Sequence, residues 1–232
     1  MTHQAASPSR GEGQRPRAPT VYVVDDDPSF LCALSRRLRA DDYQVETFGS
    51  AEEFLRCRRA GAAGCVVLDL QMPGSGGLEL QAALAQAEDH LPVVFLTAHG
   101  DVASSVRAMK GGAVDFLTKP FRGEELLEAI QRALVRGAAE RQTRRQQRAW
   151  RARYEHLTAR EREVFALVVS GRPNKQIADA LGTCERTVKA HRAQVMRKMG
   201  VQSPAELGRA AEWLGDAVQA SPLVNGAPDK TA

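Results

Sequence analysis

Asp25, Asp26 and Asp69 are the residues whose type and spacing could do chemistry together. The first two close the apolar run TVYVV, and Asp69 closes CVVL. Thr97 ends PVVFL in the same way, and Lys119 follows DFLT. Strands that end alike on one sheet edge would bring three carboxylates, a hydroxyl and an ammonium together. Carboxylates crowded around one cation suit a hard metal such as Mg²⁺, which takes carboxylate, carbonyl and water oxygens and leaves room for a phosphoryl group. Beside it an Asp carboxylate can attack phosphorus and form an aspartyl phosphate, while the lysine balances the phosphoryl oxygens. Any one of these aspartates alone is an ordinary loop or cap carboxylate, and Lys119 alone a solvated lysine. Asp27 plays a different part, because Pro28 follows it and places it as the N-cap of the first helix.

Five short apolar runs must position these residues: 20–25, 43–48, 65–69, 92–97 and 115–118. Helical periodicity fills the gaps. It is marked by Phe30, Leu31, Leu34 and Leu38; by Phe54 and Leu55 behind a Ser50-x-x-Glu53 capping box; by Leu78, Leu80 and Leu84; by Val102, Val106 and Met109; and by Leu126, Leu127, Ile130 and Leu134. Strands alternating with helices pair in parallel through right-handed crossovers. The third and fourth runs are continuously apolar, as strands covered on both faces are. The expected fold for residues 20–136 is therefore a doubly wound, flavodoxin-like α/β sheet, whose ligands sit at the carboxyl ends of the strands. Gly76 and Gly77 read as turn residues after Asp69, and His99 as a loop residue.

Beyond Arg136 the character changes. Residues 137–155 are rich in Arg and Gln and read as a linker, helical in continuation of the fifth helix. Residues 156–215 are purely helical, with helices over about 158–169, 174–181, 185–199 and 204–214 and glycines 171, 182 and 200 stopping the first three. Ile177, Ala178 and Leu181 give the short helix an apolar face, and Val188, Val195 and Met199 do so for the longer one. Arg186, Thr187, Lys189, Ala190, Ala193, Gln194 and Arg197 are left facing outward, with Arg192 towards an edge. A short helix before an exposed basic helix is helix-turn-helix geometry, the second helix entering the DNA major groove. Small Ala190 and Ala193 would let it lie close to base edges. Residues 1–19 and 216–232 have little to bury and are expected to be disordered.

Charge divides along the same line: −5 over residues 20–136, +4 over 137–155 and +4 over 156–215. An acidic half joined to a basic half suggests partners of different charge. No run of apolar residues is long enough for a membrane span, and the N-terminal stretch has no apolar segment of a signal peptide. Cys32, Cys57, Cys65 and Cys184 show no metal-ligand spacing, so reduced thiols in the cytoplasm are expected.

Residues 20–136 resemble a response-regulator receiver domain, and TAHGDVASSVRAMKGGAVDFLTKPF is similar to the FixJ group. The resemblance implies that Asp69 is the phosphoacceptor. It further implies that Asp26, Asp69 and the Gln71 carbonyl bind Mg²⁺ directly and Asp25 through water. Thr97 would bond the phosphoryl group, Phe116 would be the aromatic switch, and Lys119–Pro120 would carry a cis peptide. The motifs L-T-x-R-E-x-E-V, N-K-Q-I-A and R-T-V-K-x-H-R resemble the LuxR-type four-helix DNA-binding domain over residues 156–215. Lys189 and its neighbours would then read bases, while Asn174, Lys175, Thr187 and Arg192 are candidates for backbone contacts; His191 is expected at a packed edge. The chain departs from the pattern at Ala193, where some relatives place a basic residue, and at Cys184, where Ser is usual.

The implied protein is a two-component transcription regulator, not an enzyme beyond assisting its own phosphorylation and dephosphorylation. Its partners would be a sensor histidine kinase docking near Phe30 and Leu31, promoter DNA, a second copy once phosphorylated, and RNA polymerase. Two other readings compete. An aspartyl-phosphate phosphatase would need a cap insertion between these short loops, and the chain has none. A phosphorylation-independent regulator would not need Asp25, Asp26, Asp69, Thr97 and Lys119 together.

Overall fold

The structure, a computed structural model, describes residues 19–58, 61, 63–74, 76–86, 91–98 and 101–215. His99 and the two tails expected to be disordered lie outside the described residues, apart from Pro19. Strands β1 (Thr20–Val24), β2 (Gln44–Phe48), β3 (Gly64–Asp69), β4 (Val93–Thr97) and β5 (Asp115–Thr118) form one parallel sheet in the order β2-β1-β3-β4-β5. Side chains alternate between its faces because the strand repeat is two residues. Val21, Val23, Cys65, Val67, Val94 and Leu96 pack on α1 (Pro28–Ala40) and the first part of α5 (Gly123–Glu155). Tyr22, Val24, Val66, Leu68, Val93 and Phe95 pack on the other side, with α2 (Ala51–Cys57), α3 (Gly77–Gln86) and α4 (Val102–Lys110). Every residue of β3 and β4 is buried, as their unbroken apolar runs require.

The direction of winding reverses between β1 and β3, which lie side by side at the centre of the sheet with Val24 opposite Leu68. In this class of sheet the crevice for a ligand opens there, beyond the carboxyl ends of the strands. Asp25 and Asp69 lie at those two ends.

One helix presents an uncovered face, and one expected cap needs correction. In α4 the stripe Val102, Val106 and Met109 lies open: Val102 is 79%, Val106 45% and Met109 47% exposed, and only Ala108 is buried. Periodicity identified a face, and nothing covers it among the described residues. At α2 the capping box is only half formed. Ser50 accepts from the Glu53 amide at 3.1 Å, but the Glu53 carboxylate reaches back to Gly49 instead of Ser50. Leu55 is exposed as well.

The chain divides into two compact units between Arg141 and Gln142, inside α5. The second unit holds the end of α5 and helices α6 (Ala159–Val169), α7 (Asn174–Ala180), α8 (Glu185–Met199) and α9 (Pro204–Leu214). Its core gathers Tyr154, Leu157, Phe165, Ile177, Val188, Val195, Met199 and Leu207, with Trp150 packed against it. The stretch read as a linker thus ends inside the second unit: Tyr154 is buried, its ring 5.2 Å from that of Phe165. A full capping box on Thr158 and Glu161 starts α6. Gly171, Gly182 and Gly200 adopt left-handed φ of 79°, 60° and 64° where the first three of these helices stop, a conformation glycine takes without a side-chain clash. Among the described residues no helix is long and apolar enough to cross a membrane.

Candidate functional site

The acidic pocket is built from loops that each strand end releases. Asp25 follows β1, its amide still bonded to the Phe48 carbonyl at 3.1 Å, and only 2% of it is exposed. Its Oδ1 accepts from the Asp27 amide at 2.9 Å, which fixes the turn into α1. Asp27 is exposed and caps α1, accepting from the Ser29 and Phe30 amides, as its place before Pro28 predicts. Asp69, the last residue of β3, is buried and accepts from the Gln71 amide at 2.9 Å. Behind it Gly77 opens α3. A Cβ there would lie 2.4 Å from the Asp69 carbonyl, so this glycine is required by close backbone approach and not by turn geometry. Positive φ falls on Gly74 instead.

Lys119 joins the two aspartates. Its amide donates to the Thr97 carbonyl at 2.7 Å, and a cis peptide links it to Pro120, as the motif implies. Its Nζ donates to Asp25 Oδ2 at 2.6 Å and to Asp69 Oδ1 at 3.1 Å, and it stands 3.9 Å from the centroid of the Phe30 ring. Burial raises the pKa of Asp69 above the ordinary carboxylate value; the Lys119 charge opposes this and Asp25 reinforces it. For Lys119 burial works downward but is outweighed by the bonds to Asp25 and Asp69, so its pKa is raised and it stays an ammonium. Thr97 is fully buried at the end of β4. Phe116, in β5, is half-buried with its ring 6.3 Å from that of Phe95.

Asp26 and Gln71 are exposed at the mouth of the pocket. Among the described residues no three His, Cys, Asp or Glu side chains gather closely enough to hold a metal ion as they stand. The four residues expected to do so, Asp25, Asp26, Asp69 and Gln71, are therefore not a preformed cage, because Lys119 is bonded to both buried carboxylates. The donor set nevertheless fits a hard cation, since all three side-chain donors are carboxylates and one ammonium leaves two negative charges unbalanced.

Sequence reasoning missed a residue that ties the helices beside this pocket. Gln81, on α3, is 5% exposed and its Nε2 donates to the Ala108 carbonyl of α4 at 2.9 Å. A lone Gln in a helix carries no sequence signal for such a contact.

In the second unit α8 buries Val188, Val195 and Met199 and exposes Arg186, Lys189, Ala190, Ala193, Gln194 and Arg197. Lys175 is also exposed, while Thr187 and His191 are half-buried. Arg192 donates to Asn174 Oδ1 at 2.7 Å, so two of the candidate backbone contacts bond each other across α7 and α8. Gln194 accepts from Arg197. Cys184 occupies the N-cap of α8 without a side-chain cap bond; its sulfur lies 3.3 Å from the Thr187 hydroxyl, and that contact lowers its pKa. Thr183 does not take over the cap, its amide bonding back to Ala178. Cys65, by contrast, is buried in β3 and its thiol is pushed up to about 12 by burial.

Comparison with known proteins agrees with both units. The model for the response regulator receiver domain matches residues 21–131, and the model for bacterial regulatory proteins of the luxR family matches residues 155–211. Nodulation protein W of Bradyrhizobium diazoefficiens is 44% identical over 209 residues, 89% of this chain and 92% of that protein. The transcriptional regulatory protein FixJ of Rhizobium meliloti is 41% identical over 192 residues, 83% of this chain and 94% of its own length. Among solved structures, that of the response regulator StyR has a TM-score of 0.74 at 47% identity, covering 84% of this chain and 98% of its own. Full-length FixJ from B. japonicum has a TM-score of 0.52 at 36% identity, covering 85% and 98%.

Proposed function

This chain belongs to the response regulators that join a receiver domain to a luxR-family DNA-binding domain, and from that premise we propose that Asp69 takes the phosphoryl group. As a member it is a DNA-binding transcriptional response regulator, with a sensor kinase and DNA as partners. The observation that carries the Asp69 reading is Lys119 bonded to both buried aspartates at the reversal point of the sheet. An Asp69 oxygen attacks the phosphorus of a kinase phosphohistidine; the new O–P bond forms as the P–N bond breaks, and its electron pair returns to the imidazole nitrogen. Lys119 supplies positive charge for the phosphoryl oxygens, and the Gln71 amide holds the second Asp69 oxygen. Asp25, Asp26, Asp69 and the Gln71 carbonyl would hold Mg²⁺, which when bound neutralises the oxygens around phosphorus.

Thr97 and Phe116 then respond to the new charge, and the exposed α4 face of Val102, Val106 and Met109 becomes the contact between two phosphorylated copies. Kinase docking falls on the α1 edge near Phe30 and Leu31, where a surface hollow of about 520 Å³ is lined by Phe30, Lys119, Pro120 and Phe121. On DNA, Lys189, Ala190, Ala193 and Gln194 face the bases, and Asn174, Lys175, Thr187 and Arg192 the backbone, with RNA polymerase a further partner at the promoter. The decisive experiment offers a small phosphodonor and Mg²⁺ to wild type and Asp69→Asn. Label on wild type alone is expected; no label on wild type, or equal label on both, overturns the reading.

A further inference from the structure

We propose that Phe30 is a positioning residue for Lys119, its ring face holding the ammonium by a cation–π contact. The proposal rests on the reading of Asp69 as phosphoacceptor. The Lys119 ammonium has two hydrogen-bond partners, Asp25 and Asp69, and lies 3.9 Å from the Phe30 centroid, well inside the roughly 6 Å reach of such contacts. Any partner here must steady the cation without competing for its N–H groups. A carboxylate would add negative charge to a pocket with a surplus of it, and would repel the incoming phosphoryl oxygens. An aromatic face attracts the ammonium, carries no net charge and accepts no strong hydrogen bond. The lysine can therefore turn its N–H groups from the aspartates to a phosphoryl group without leaving the ring.

The ring is itself set from two directions. The Phe30 amide is bonded to the N-cap Asp27 at 3.3 Å, which fixes its place in the first turn of α1. The ring meets that of Phe121 at 90° with centroids 6.4 Å apart, and Phe121 lies two residues beyond Lys119 on the same loop. One aromatic pair thus ties the start of α1 to the segment that carries the lysine. Plain packing would explain a half-buried Phe30 equally well, but any apolar side chain of similar size would then serve.

The test compares full-length wild type with Phe30→Leu, Phe30→Tyr and Phe30→Trp, using a small phosphodonor and Mg²⁺ so that no kinase surface takes part. Phe30→Leu is expected to lower the maximal labelling rate about fivefold with a smaller change in donor KM, while Tyr and Trp stay within about twofold of wild type. Phenylalanines carrying one, two and three ring fluorines at position 30 should lower the rate stepwise, which a packing role would not. Independently of phosphorylation, the Lys119 ε-methylene protons should show an upfield ring-current shift that Phe30→Leu abolishes. A labelled wild type with Phe30→Leu at the same rate overturns the proposal, as does a loss shared equally by Leu, Tyr and Trp. A wild type that takes no label overturns the Asp69 reading and this proposal together.

Discussion

Lys198, near the end of α8, donates to Glu161 Oε2 at 2.6 Å, and the same oxygen accepts from the Thr158 amide at 2.8 Å in the capping box of α6. Glu161 is 6% exposed. One carboxylate therefore fixes the start of α6 and the end of α8. Burial pushes its pKa up, but the bonds from Lys198 and Thr158 prevail and hold it below the usual carboxylate value.

A carboxyl whose folded pKa is depressed binds fewer protons folded than unfolded, so stability rises with pH through that window. The contribution is complete above the unfolded value of about 4.3 and is lost as pH falls through the lower folded value. Both tryptophans, Trp150 and Trp213, lie in the second unit, so their fluorescence follows its unfolding alone. The urea midpoint read this way should fall at acid pH in wild type. Glu161→Gln should start lower at pH 7 and show a flatter acid dependence. Parallel curves for the two proteins would remove the ion pair from the account.

The two neighbouring aspartates have different surroundings. Asp26 is exposed at the pocket mouth, whereas Asp27 bonds the first amides of α1. Asp26→Asn should abolish labelling by a small phosphodonor with little loss of stability. Asp27→Ala should keep labelling and cost about 1 kcal/mol, the usual loss for a removed N-cap. Similar phosphorylation defects in both would contradict the division.

Much of this was legible because strand ends are set by local pattern. VYVVDDDP contains both the burial that ends at Asp25 and the cap that starts α1, and the run of apolar residues before Asp69 fixes where β3 stops. What could not be read were pairings between distant residues. Lys119 over Phe30, Gln81 on Ala108, Arg192 on Asn174 and Lys198 on Glu161 each depend on how two elements meet in space. Whether the α4 stripe is covered could not be read either, for the same reason. A 3.6-residue period shows that Val102, Val106 and Met109 lie together, but not whether another element covers them.

Lys189 stands exposed on α8, between Val188 in the core and Ala190 on the surface. Lys189→Ala should weaken binding to the cognate site by about 1–3 kcal/mol and relax base preference at one position. Competition titrations on specific and scrambled duplexes separate the outcomes. An equal loss on both would make Lys189 a phosphate contact.

At Cys184 the thiol leaves the N-cap of α8 without a side-chain bond. A serine hydroxyl accepts from the first amides of a helix better than a thiol does, so Cys184→Ser should raise the urea midpoint of the tryptophan signal. Alkylating Cys184 in the folded protein should leave DNA affinity unchanged if its acidified thiol has no regulatory use. A fall in affinity on alkylation would instead point to a redox role for this thiol.

The arginines of the second half of α5 are not placed alike. Arg153 is structural: it donates to the Met199 carbonyl at 2.9 Å, and its guanidinium lies where a side chain on Gly200 would intrude. Arg151 pairs loosely with Glu155 at 3.6 Å. Arg144, Arg145 and Arg148 lie between them and the first unit, on a helix whose other end packs into the DNA-binding core. If these three meet phosphates, each contact releases condensed counterions, and log K falls with log salt by about 0.9 per phosphate on duplex DNA. Replacing all three with Gln should then flatten the slope by up to about 2.7 while preserving preference for the cognate site. Arg153→Gln should instead lower the stability of the second unit and leave the slope unaltered. An unchanged salt dependence in the triple variant would reduce this stretch to a spacer, and its charge to solubility.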